Sequence, residues 1–153
     1  MDRLILGQGN RKGETLESGA TKAERNYIDF IVSGKSLGQL LGLPELDLIG
    51  TFGWSKNKEY ENRNIGEFLG LEKPELDTGR TSFYVCSECG DIGCGAITAK
   101  IEISDKDVIW KDFGYENNYS EPHLTDYKEI GPFIFDKTEY IMTLEQLKRN
   151  ISR

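Results

Sequence analysis

Residues 96–113, AITAKIEISDKDVIWKDF, constrain the fold more than any other stretch. Ile97, Ala99, Ile101 and Ile103 alternate with Thr98, Lys100, Glu102 and Ser104. A repeat of two sends the first set to one side of an extended chain and the second set to the other. The segment therefore reads as a half-buried strand. Asp105 and Lys106 make a tight turn, and DVIWKDF (107–113) returns. With that turn, Ile103 opposes Val108 and Ile101 opposes Trp110 on the buried face. The β-prone run TSFYVC (81–86) precedes the pair. The expected core is a three-stranded antiparallel meander.

The rest of the chain adds helices to it. SLGQLLGL (36–43) and NIGEFLGL (64–71) match position by position. Each places an N-cap residue (Ser36, Asn64) before an apolar turn and a glycine (Gly42, Gly70) after it, so each is expected to form a helix of about two turns. Between them, LDLIGTFGW (46–54) is strand-like and SKNKEYENRN (55–64) reads as a polar loop. Tyr27–Val32 reads as a strand that ends in a turn. Residues 115–131 read as a long polar loop, and PFIFD (132–136) as a short strand. Asp136 caps the last helix, with Glu139 completing a pair of the capping-box kind. Tyr140, Leu144, Leu147 and Ile151 form its apolar stripe. The expected class is α+β: an antiparallel sheet on a three-stranded meander, short helices and a C-terminal helix.

A length of 153 residues suits one domain, 1–153. Residues 1–25 lack periodicity and read as a mobile or loosely attached arm, with a short strand at Leu4–Leu6. The arm is not a dinucleotide fingerprint. Gly7 and Gly9 fit G-x-G, but Lys12 replaces the third glycine and no helical pattern follows. SGKS (33–36) is not a phosphate loop either, because Asp29 stands where its first glycine belongs. Neither H-E-x-x-H nor G-x-S-x-G occurs, so the expectation is a non-enzyme, with an uncharacterised enzyme as an alternative.

The formal net charge is −7. Such a surface repels nucleic-acid phosphates and anionic membranes, and draws in basic proteins. The acidity is local: residues 59–77 hold six acidic and two basic side chains, and 112–129 hold five and one. No run approaches the about 20 apolar residues of a membrane span. MDRLILGQGN lacks a secretory core. The expected location is cytoplasmic, where thiols stay reduced.

All three cysteines lie in Cys86-x2-Cys89-x4-Cys94. Zinc needs four ligands, and His123, the only histidine, is the natural fourth; Asp91 is a weaker one. A thioredoxin-like role would need a helix that GDIGCG cannot continue. A nucleophilic cysteine would need His123 and a third, orienting group. The plainer alternative makes the thiols small apolar residues at a glycine turn, with Cys89 and Cys94 able to pair under oxidising conditions. The expectation is no cofactor, with a Cys3His zinc site as the alternative.

One further set of residues bears on function. Cys89, Gly90, Gly93 and Cys94, then Val108, Trp110, Asp112 and Phe113, then Pro132, Phe133, Phe135 and Tyr140 span the second half. Their pattern, a C-G-x-x-G-C turn, a V-x-W-x-D-F strand and a closing aromatic segment, resembles a set of uncharacterised bacterial proteins often encoded beside secreted toxins. The resemblance implies an immunity protein that neutralises a cognate toxin by binding it, and it brings no catalytic residue. An acidic inhibitor is steered quickly to a basic toxin domain. Asp112, Tyr115, Glu116, Tyr119 and Glu121, with Trp110 beside them, offer aromatic anchors in an acidic rim. The competing reading puts Trp110 in the core and leaves the others in an ordinary loop.

Overall fold

In the computed structural model, which describes all residues except 16, 20, 23, 56, 88–91, 118, 152 and 153, the alternating stretch is central to an antiparallel sheet. In chain order the elements are β1 (Leu4–Arg11), β2 (Glu14–Thr15), β3 (Thr21–Lys22), β4 (Arg25–Val32), β5 (Lys35–Ser36), α1 (Leu37–Leu40), α2 (Leu43–Leu46), β6 (Leu48–Gly50), α3 (Lys58–Leu69), β7 (Thr81–Cys86), β8 (Ala96–Ile103), β9 (Asp107–Asn117), β10 (Ser120–His123), β11 (Phe133–Asp136) and α4 (Lys137–Ile151). The class is α+β. The largest sheet has the order β10-β9-β8-β7-β6, with β11 also on β9; a second has the order β1-β4-β5, and β2 and β3 pair as a separate two-stranded sheet.

The meander is β7-β8-β9, and its register pairs Ile103 with Val108 and Ile101 with Trp110. Burial is less even than the alternation suggests. Ile103 overhangs and is 37% exposed, while Thr98, on the polar side of the pattern, is fully buried. The strand is thus covered on both faces at its start and bare at its end.

Two single bridges join the sheets. Ile28 of β4 pairs with Phe52 just past β6, and Asp2 pairs with Phe135 of β11. The strand path β1-β4-β6-β7-β8-β9-β11 therefore returns to its start. Inside it lie Phe30, Phe52, Phe68, Phe83, Trp110, Phe135 and Tyr140, all buried. Trp110 sits 4.7 Å from both Phe83 and Phe135, with interplanar angles of 84° and 66°. Edge-to-face contact of this kind adds about 0.5–1.5 kcal/mol per pair beyond area burial. α3 contributes Ile65 and Phe68, and α4 contributes Tyr140, Leu144 and Leu147, the stripe read from its spacing. The Tyr140 hydroxyl donates to the Phe68 carbonyl (2.8 Å) and accepts from Trp110 Nε1 (3.2 Å). One side chain thus ties both helices to the sheet, and its burial pushes the phenol pKa far up.

Several boundaries differ from expectation. The polar run 55–64 is not a loop from end to end, because α3 starts at Lys58. Asn57, not Asn64, is its N-cap and accepts from the Tyr60 amide at 3.1 Å. Asn64 lies inside the helix and donates to Thr51 Oγ1 (3.0 Å). Glu, Lys and Arg are good helix formers, and the buried side of the first turns is polar, so no apolar stripe announced them. Ser36 does cap α1, accepting from Gln39 N at 3.2 Å. That helix has only four residues, because Gly42 (φ 72°) turns left-handed and opens α2. β1 extends past Leu6 to Arg11 and pairs with β4 throughout. Tyr27 occupies the space over Gly9, where a Cβ would collide with its ring. Asp136 caps α4, accepting from Glu139 N at 3.0 Å, but the Glu139 carboxylate reaches Arg3 (3.3 Å) instead of closing a box. The loop read over 115–131 is shorter. β9 continues to Asn117 and β10 returns beside it. Among the described residues, no helix is long and apolar enough to cross a membrane.

Candidate partner-binding surface

The surface read from the sequence lies on β9 and β10, and a bulge decides which way its side chains point. Thr98 pairs with Gly114, but Lys100 pairs with Lys111, so β9 has one residue more than β8 across this interval. Asp112 sits in the bulge with φ 56°, a conformation L-residues seldom adopt and Asp tolerates better than most. The bulge breaks the count of two. Trp110 and Phe113, three apart, both enter the core at 0% and 1% exposure. From there on the parity is reversed, and Glu116 turns to the opposite face of the sheet.

That face holds a closed polar network. Glu116 and Arg80 are 4% and 3% exposed and lie 3.4 Å apart. Arg80 Nε donates to Thr98 Oγ1 (2.9 Å), and its Nη2 donates to the carbonyls of Thr98 (2.8 Å) and Asp112. The Thr98 hydroxyl donates to Glu116 (2.7 Å), as does that of Thr78 (3.2 Å). Burial pulls the Arg80 pKa down and the Glu116 charge pulls it back. At Gly114 a Cβ would collide with Leu124 and come within 3.2 Å of Arg80 Nη2, so a bare backbone here lets the segment after β10 cover the network.

The expected surface residues divide accordingly. Trp110 is core, and Glu116 points inward and is neutralised by Arg80, so neither belongs to a partner face. Tyr115 is half-buried against Gly95 (φ 92°), where a Cβ would collide with its hydroxyl. Asp112, Tyr119 and Glu121 are exposed, and Tyr119, at the hairpin tip, is 82% exposed. Asp126 and Glu129, on the segment after β10, are also exposed. Sequence reasoning missed Arg80, a lone cation ahead of TSFYVC. The available signal for the bulge was the three-residue spacing of Trp110 and Phe113 within a strand of period two.

The described zinc ligands of the alternative reading are spread over three elements. Cys86 ends β7 and is half-buried, and Cys94 ends a single 3-10 turn (Ile92–Cys94) and is exposed. Cys89 and the weaker candidate Asp91 lie outside the described residues. His123 is exposed on β10, with Nε2 3.1 Å from Asp126 Oδ2. It pairs with Tyr115, which pairs on its other side with Ile97, so β9 stands between His123 and the strand that follows Cys94. Among the described residues, no three His, Cys, Asp or Glu side chains gather as a metal would require.

Another concavity, of about 550 Å³, lies between β1 and α4. Ile5 and Met142 on its rim are 61% and 66% exposed, and among the described residues no charged side chain lines it. Comparison with protein-family models, with curated proteins and with solved structures gives no match, so no residue role comes from a relative.

Proposed function

We propose that this protein acts by contact, binding and inhibiting a basic protein partner of the bacterial-toxin kind. The observation that carries the reading is the β10 end of the molecule. Tyr119 stands almost fully exposed there, and Glu121, Asp126 and Glu129 are exposed along the same edge and the segment beyond it. An exposed ring supplies hold, and surrounding carboxylates supply rate and choice of partner. The deep ionisable groups support contact rather than chemistry, because the fold uses them. Arg80 is bound to Glu116, and Asp29 accepts from Tyr84, Ser36 and the Phe30 amide.

The test is the association rate with a purified basic protein that co-purifies with this one from its native source. Raising the ionic strength from about 10 mM to about 1 M shortens the screening length from about 30 to about 3 Å, and should slow association at least about tenfold. Tyr119→Ala should speed dissociation. A rate indifferent to salt, together with a neutral Tyr119→Ala, would end the reading.

A further inference from the structure

We propose that two copies of this chain pair through the outer edge of β1, antiparallel about a two-fold axis at Leu6, so that their β1-β4-β5 sheets become one. None of the residues involved belongs to the β10 surface.

In the β1–β4 ladder Ser33 N donates to Arg3 O (2.8 Å), so the odd residues of β1 bond β4 and the even ones aim their N–H and C=O outward. Asp2, the first of the even set, donates to Ile134 O of β11 (2.8 Å). β11 then passes into α4 at Lys137, and among the described residues no strand continues its line. The main-chain groups of Leu4, Leu6 and Gln8 are left facing the concavity between β1 and α4, with no hydrogen-bond partner among the described residues. Folded proteins blunt such edges with charge, proline, a bulge or shortness. β10 carries Glu121 and Pro122, and β5 is two residues long and carries Lys35. From Leu4 to Asn10, β1 has none of these, and its eight pairs with β4 run without a bulge.

Charge decides the occupant. A two-fold interface sets a patch against itself, so a charged patch repels its copy and a neutral one does not. On a chain of net charge −7, the concavity between β1 and α4 is lined by no charged side chain among the described residues, and its rim exposes Ile5 and Met142. A basic partner finds no attraction there, whereas a second copy meets no repulsion. A strand edge also matches itself, because each residue offers one donor and one acceptor. With the axis at Leu6, Leu6 faces Leu6 of the second copy, Leu4 faces Gln8, and Ile5 faces Gly7, which has no side chain to crowd it. Both copies of α4 come to the same side of the joined sheet, where Met142 is covered.

The experiment is sedimentation velocity of the whole protein over about 5–500 μM, where mass action reveals a weak dimer, with amide exchange measured at both ends of the range. The expected result is a monomer–dimer equilibrium. The amides of Leu4, Leu6 and Gln8 should slow as concentration rises, while those of Ile5, Gly7 and Gly9, already bonded to β4, should not change. Added salt should leave the dimer as strong or strengthen it, because it screens the repulsion between two acidic chains. Gln8→Pro removes one outward donor per copy and none from the β4 ladder, and should weaken dimerisation about tenfold. Met142→Glu leaves β1 untouched, sets like charges together and should weaken it too. A thermal transition like that of wild type checks that each variant is folded. A chain monomeric throughout, a dimer indifferent to both variants, or Leu6 and Gln8 amides that exchange fast in the dimer would overturn the proposal. So would protection of those amides that appears only when a basic partner is added, since the edge would then take the partner's strand. A dimer that binds no basic partner ends the contact reading alone.

Discussion

Arg80 and Glu116 show how a charge can be misplaced when only its neighbours in sequence are known. Counting in twos from Trp110 puts Asp112 and Glu116 on its side of the strand, and only the three-residue spacing of Trp110 and Phe113 announces the inserted residue. The bulge moves the count by one, and the carboxylate that reads as a rim group becomes half of a buried pair. Such a pair adds little against an apolar replacement, yet losing one member strands the other. Arg80→Ala should therefore lower stability by about 3–5 kcal/mol in urea unfolding. Replacing Arg80 and Glu116 together with Met and Leu should recover much of that loss. A cost below about 1 kcal/mol for Arg80→Ala would mean that Glu116 finds water when its partner goes. Asp112, Tyr119 and Glu121 were legible as surface groups because loops and strand ends carry polar residues outward.

At the scale of elements, α4 and the meander were readable because their apolar residues recur at 3.6 and 2, and packing follows those periods. α3 was only half readable. Its later turns carry Ile65 and Phe68, but Glu61 and Asn64 before them also turn inward, a polar lining that reads as solvent-facing. Glu61 Oε1 accepts from the amides of Gly53 (2.9 Å) and Ser55 (3.1 Å), so the acid fastens the preceding segment. Glu67 lies 3.9 Å from Arg63. Burial raises both carboxyls above their usual range, against the opposing pull of those amides and of Arg63. For an acid whose folded pKa exceeds its unfolded one, the protonated form contributes stability in full below the unfolded pKa. That contribution fades as pH rises through the folded pKa. Glu67→Gln keeps the shape and removes the titration. Its unfolding free energy relative to wild type should rise as pH increases from the ordinary carboxylate range, measured by urea unfolding at each pH. A flat or falling difference would show that Glu67 is not the group responsible.

For the molecule as a whole, the first strand matters most. Composition made residues 1–25 look like an arm, since glycines and charges dominate and no period emerges. The glycines instead leave room for β4: Ile31 lies over Gly7 and Tyr27 over Gly9. β1 is one wall of a strand path that closes through Asp2 and Phe135, and Leu4 and Leu6 pack on the common core. Closure of this kind depends on contacts more than a hundred residues apart, which local patterns do not encode. A chain lacking residues 1–11 should lose its cooperative thermal transition, because β4 would be left without its main partner. A transition like that of the full chain would return those residues to the status of an appendage.

The two indoles occupy very different places. Trp110 is sealed among Phe83, Phe135 and Tyr140, whereas Trp54 is half-buried against Tyr60 in the stretch held by the Glu61 carboxylate. Emission from the first should stay blue until the interior itself is breached, while the second should redden once its short tether lets go. One chain thus carries two optical gauges, set to separate events.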